Sequence, residues 1–120
     1  MTFAAARMVL VATAWLAVAG GASLATAQTS TGDQVKGRLL YQDWCAGCHD
    51  RGAGHPGTQS LEIKYRGTAV PAALEERTDL SPQVTAIFVR RGIALMPPFR
   101  KTEISDADLQ DLAAYLAKGK

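Results

Sequence analysis

Residues 44–49 read Trp44-Cys45-Ala46-Gly47-Cys48-His49, and the reading of this hexapeptide decides the fold. It holds both cysteines of the 120-residue chain and one of its two histidines. The two thiols stand three positions apart, so on a helix they project from one side about a turn from each other. One pair of cysteines cannot build the disulfide framework of a small secreted scaffold, which takes at least four. The pair therefore points to specific chemistry.

Cys-x-x-Cys-His is the spacing of covalent haem attachment. Each thiol can add across one vinyl group of the macrocycle, giving two thioether links. The residue after the second cysteine then lies under the iron, where His49 offers a ring nitrogen as axial ligand. Three other uses of these residues compete. A Cys45–Cys48 disulfide is permissible in an oxidising compartment. A thioredoxin-like redox pair also suits a tryptophan before Cys-x-x-Cys, but that fold needs a βαβ core. Zinc requires four ligands, and Cys45, Cys48, His49 and His55 are poorly spaced for a tetrahedron. One haem c per chain is the leading expectation, and thiol oxidoreduction is the alternative from a different class.

With His49 on one face of the iron, the opposite ligand decides the chemistry. His55 is six residues on, too short a chain to pass round the edge of the macrocycle. Met96 is 47 residues away and lies in Met96-Pro97-Pro98-Phe99, where the prolines stiffen the segment presenting the sulfur. Against this, a methionine in an apolar stretch commonly packs a core. A thioether ligand is soft and uncharged, favours the ferrous state and raises the potential relative to two histidines. Protein ligands on both faces leave no open position for a substrate, so the expected role is to move one electron.

Outward from this site, the N-terminus reads as an export signal. Arg7 precedes the apolar run Met8 to Ala19, Gly20-Gly21 follow, and Ala25-Thr26-Ala27 supplies a small-x-small cleavage pattern before Gln28. Twelve apolar residues fall short of the ~20 that span a bilayer. The expected organisation is a signal peptide over 1–27 and one domain over 28–120, exported to the periplasm and tethered to a membrane only if the signal stays. Removing it also removes Met1, Met8 and Trp15. That leaves Met96 as the one methionine, Trp44 as the one tryptophan, and 12 basic against 11 acidic side chains, a net +1. This balance does not suit nucleic acid, which needs a dense basic face.

The domain reads as all-α. Asp33 can cap a helix to about Trp44, with Gly37, Leu40, Tyr41 and Trp44 on one face, widened by Val35 and Leu39. Asp50 to Ser60 is glycine-rich and is expected to be loop, followed by an irregular Leu61 to Thr68. Pro71 suits the first turn of a short helix through Arg77. Ser81-Pro82 starts a helix to Arg91 that is expected to bury Val84, Ile87 and Phe88 and to stop at Gly92. Met96-Pro97-Pro98 must be extended. Ser105 caps a final helix with Leu109, Leu112, Ala113 and Leu116 on one stripe, closed by Lys118 and Lys120.

These residues resemble the class I, His/Met-ligated c-type cytochromes. The likeness rests on Gly37-x-x-x-Tyr41-x-x-x-Cys45-Ala46-Gly47-Cys48-His49, then Met96-Pro97, then Leu112-x-x-Tyr115-Leu116. It implies a small cytochrome c fold whose first and last helices cross, with Gly37 allowing close approach and Tyr41 meeting Leu112 and Tyr115. It also implies a proline carbonyl, matched here by Pro56, that accepts the hydrogen bond of the axial histidine. Tyr65 and Arg66 are candidates to reach a haem propionate. More narrowly, the chain is similar to the small cytochromes paired with flavin-dependent phenol-oxidising dehydrogenases of the p-cresol methylhydroxylase kind. The resemblance implies redox proteins as partners, met either as a free carrier or as a tightly bound subunit of a flavoprotein dehydrogenase, and no metabolite substrate.

Overall fold

The computed structural model describes residues 32–117. The expected signal peptide, Gln28 to Thr31, Lys118 and Lys120 lie outside them. The described chain is helical: α1 (Gln34–Trp44), α2 (Ala46–His49), α3 (Pro56–Lys64), a 3-10 turn (Leu74–Glu76), α4 (Pro82–Arg91) and α5 (Asp106–Leu116). Among the described residues the only extended pairing is one bridge between Ile93 and Met96. No helix among them is long and apolar enough to cross a membrane.

Three helix starts are set by side-chain caps. The Asp33 carboxylate accepts from the amides of Val35 and Lys36, and Ser81 Oγ accepts from Val84. Ser105 and Asp108 form a reciprocal capping box at the start of α5. Each cap occupies amides that the first turn leaves without intrahelical partners.

α1 crosses α5, and this is the principal packing of the domain. Gly37 makes the approach possible: a Cβ there would stand 2.1 Å from the Asp111 carbonyl oxygen and 2.8 Å from Tyr115 Cβ. Tyr41 fills the crossing, its ring 5.9 Å from that of Tyr115, and it joins Leu109, Leu112 and Leu116 in the core. Outside the crossing, Lys36 Nζ reaches Asp108 at 2.6 Å and Asp111 at 3.1 Å, and the Asp33 amide donates to Asp111 at 2.8 Å. α4 also packs against α5.

Four expectations are corrected. The segment after Asp50 is not loop throughout, because α3 begins at Pro56 and runs to Lys64. Its loop-forming glycines, Gly52 and Gly54, both at positive φ, all precede that proline. Pro56 itself sits at the first helical position, where its fixed φ favours a start. The Pro71 helix shrinks to the 3-10 turn. On α1 the buried line is only Gly37 and Tyr41, and Val35 and Leu39 face solvent. On α4 the buried residues are Thr85 and Val89, whereas Val84, Ile87 and Phe88 stay between 37% and 50% exposed. α4 is apolar over more of its circumference than α5 can cover.

Candidate haem site

α1 and α2 are nearly continuous, broken at Cys45, whose amide still donates to the Tyr41 carbonyl. The amides of Cys48 and His49 both return to the Cys45 carbonyl at 3.0 and 2.9 Å. This single turn puts Cys45, Cys48 and His49 on adjoining positions. The thiols are not bonded to each other, with Cys45 buried in the core and Cys48 exposed. Burial pushes the Cys45 thiol up to about 12.

His49 is partly buried, and burial pulls its ring below the ordinary histidine range. The neutral imidazole is the form that ligates a metal. Its Nδ1 is buried without a hydrogen-bond partner. The expected bond to the Pro56 carbonyl is not formed here; that oxygen accepts from Ser60 Oγ at 2.8 Å. Gly57 is the neighbour that sequence reading missed. A Cβ there would lie 2.6 Å from His49 Cε1 and 2.8 Å from the Cys48 carbonyl oxygen, so only a glycine lets α3 approach the ring. The signal was present as a glycine directly after Pro56, hidden among loop glycines.

Other side chains hold the turn from outside. The Tyr41 hydroxyl donates to the His49 carbonyl at 3.0 Å, Thr58 Oγ1 donates to the Asp50 carbonyl at 2.8 Å, and His55 Nδ1 lies 3.1 Å from the Gly47 carbonyl. Met96 packs, half-buried, against the core cluster that includes Cys45. It ends a tight turn in which Ile93 and Met96 exchange backbone bonds at 3.0 and 2.9 Å. Phe99 follows, its ring edge-on to Trp44 at 5.8 Å and its amide on the Val89 carbonyl. The Met96-to-Phe99 segment is thereby fastened to the end of α1, directly before the Cys-x-x-Cys-His turn, and to α4. Tyr65 stacks under the Arg77 guanidinium, 4.8 Å away, and Arg77 is in turn paired with Asp79 at 2.6 Å.

The residues fit a covalently held porphyrin: two unpaired thiols one turn apart, a neutral imidazole beside them, and half-exposed apolar side chains. The family model described as cytochrome c oxidase, cbb3-type, subunit III matches residues 32–116. The chain belongs to this family of c-type cytochromes. Membership carries one covalent haem c for a chain of this size, electron transfer as its activity and redox proteins as its partners. No curated protein matches the cytochrome.

Proposed function

We propose that this cytochrome is an exported single-electron carrier in which Cys45 and Cys48 hold the haem by thioether links, and His49 and Met96 ligate its iron. The observation that carries this reading is the juxtaposition on one turn of two free thiols and a partly buried imidazole whose Nδ1 has no hydrogen-bond partner. The bound haem supplies an iron that cycles between ferrous and ferric states. The chain's own residues hold and shield that group. Gly57 and Pro56 bring α3 against the His49 ring, and the Met96 turn, anchored through Phe99, presents a soft sulfur. Trp44, Val84, Ile87 and Phe88 retain exposed apolar surface. Covering it with the macrocycle is favourable at about 25 cal/mol per Å².

Export over 1–27 to the periplasm belongs to the same reading, because the cleavage pattern precedes the family match. Partners are read as redox proteins that dock weakly through a small interface. The basic group Arg90, Arg91, Arg100 and Lys101 contributes little steering. Arg90 and Lys101 share Asp106, and Arg100 holds Glu103, which leaves Arg91 without a carboxylate partner among the described residues. A second reading is favoured by the family description, which names an oxidase subunit: the chain serves as a resident electron-transfer subunit of a larger complex. A flavoprotein dehydrogenase is the other candidate complex. Size-exclusion of native extract separates a free carrier from either. The ligand set is tested on the ferric haem protein, whose sulfur-to-iron charge-transfer band is expected in the wild type and absent in Met96→Ala. A band that survives the substitution removes Met96 from the ligand set.

A further inference from the structure

We propose that Tyr41 is a positioning residue for the axial histidine, acting through the main-chain carbonyl of His49; this rests on the reading of His49 as a ligand. α2 has four residues, so its last carbonyls have no helical amide ahead of them. Three of the carbonyls here, on Gly47, His49 and Asp50, take side-chain partners instead: His55, Tyr41 and Thr58. Each comes from a different place in the chain: α1 for Tyr41, the N-cap of α3 for His55, the first turn of α3 for Thr58.

Tyr41 is the one that touches the ligand residue itself. It is 1% exposed, and a phenylalanine would fill the same core volume without a hydroxyl to desolvate. A buried hydroxyl is costly unless it is bonded, and this one is bonded to the His49 carbonyl. The same ring packs on Tyr115 in the crossing of α1 and α5, so the bond links the helix crossing to the main chain of His49. Electrostatics gives the direction of its effect. The donated proton offsets the negative end of the His49 carbonyl dipole in a poorly screened interior. Without it, that negative end favours the more positive ferric iron, and the potential falls. Thr58, bonded one residue further on and 2% exposed, acts in the same direction.

The test uses the full haem-loaded chain. Tyr41→Phe is compared with Tyr115→Phe, which removes a hydroxyl from the same crossing but one bonded to Glu75. The reduction potential is measured by spectroelectrochemical titration, and the hyperfine-shifted His49 resonances by NMR. Tyr41→Phe is expected to lower the potential and move the His49 resonances, while Tyr115→Phe leaves both at wild-type values. Wild-type values in Tyr41→Phe, or equal shifts in the two variants, overturn the proposal. If Tyr41→Phe does not load haem, Thr58→Val replaces it: a lowered potential supports the proposal and an unchanged one overturns it. The wild-type NMR spectrum alone reports whether His49 is a ligand, so failure of that reading is seen before any variant is compared.

Discussion

The ring of His49 and the backbone of Gly57 are in direct contact, so close that a methyl group at 57 would stand 2.6 Å from His49 Cε1. The helix that begins at Pro56 thus forms a wall of the site, and the missing side chain of Gly57 sets where the imidazole can lie. Gly57→Ala must displace either α3 or the ring. Overpacking of this kind costs ~1–3 kcal/mol. The expected result is a lower melting temperature together with a reduced ratio of haem to chain, read by thermal denaturation and by haem absorbance per protein.

Gly37 plays the matching part at the helix crossing. Gly37→Ala places a Cβ 2.1 Å from the Asp111 carbonyl oxygen, which belongs to backbone and cannot rotate away. The loss in denaturant-unfolding free energy is expected at or above the top of the ~1–3 kcal/mol range for overpacking. The substitution nearest in size on the outer face of α1, Val35→Ala, lies at a residue 75% exposed and is expected to change stability little.

Met96→Ala separates ligand from fold. The backbone turn with Ile93 and the Phe99 contacts do not involve the sulfur. Covalent haem is therefore expected to remain, with a lowered reduction potential because the proposed soft, ferrous-favouring ligand is gone. Potentiometric titration beside intact mass reads both quantities on one sample.

The Lys36 knot predicts a defined pH and salt response. Bonds from Lys36 and Ser105 hold the Asp108 carboxyl below its ordinary value of 3.8, so its contribution is complete above that value and is lost as pH falls through the lower folded one. Bonds to Asp108 and Asp111 raise the Lys36 ammonium above its ordinary 10.5, so its contribution is complete below 10.5 and is lost as pH rises through the folded value. Lys36→Met is expected to melt below the wild type near neutral pH. The gap narrows at both extremes and in high salt, because the Lys36 ammonium that joins the two carboxylates is half-exposed. Melting curves across pH and ionic strength check this.

Much of the architecture was legible because it is locally encoded. Asp33, Ser81 and Ser105 each cap the helix they were expected to start, and the α5 stripe Leu109, Leu112, Ala113 and Leu116 is buried as its spacing requires. The crossing partners Gly37, Tyr41 and Tyr115 followed from the family likeness. What escaped reading depends on partners distant in sequence. Ile104 and Leu80 are core residues lying in no helix, and no periodicity marks them. α4 turns Thr85 and Val89 inward because of where α5 lies, a choice its own apolar pattern cannot reveal. At the candidate site, spacing alone placed Cys45, Cys48 and His49 on one turn, as the structure has them. Gly57 and the Tyr41 bond to His49 were not, because each is a contact between elements.

The most direct measurement is the mass of the tryptic peptide Leu39–Arg51, taken from protein produced with a haem-maturation system. It carries both cysteines and His49. The expected mass is that of the peptide plus one haem, with neither thiol open to alkylation. A peptide at its unmodified mass, or lighter by the two hydrogens of a Cys45–Cys48 disulfide, contradicts the account.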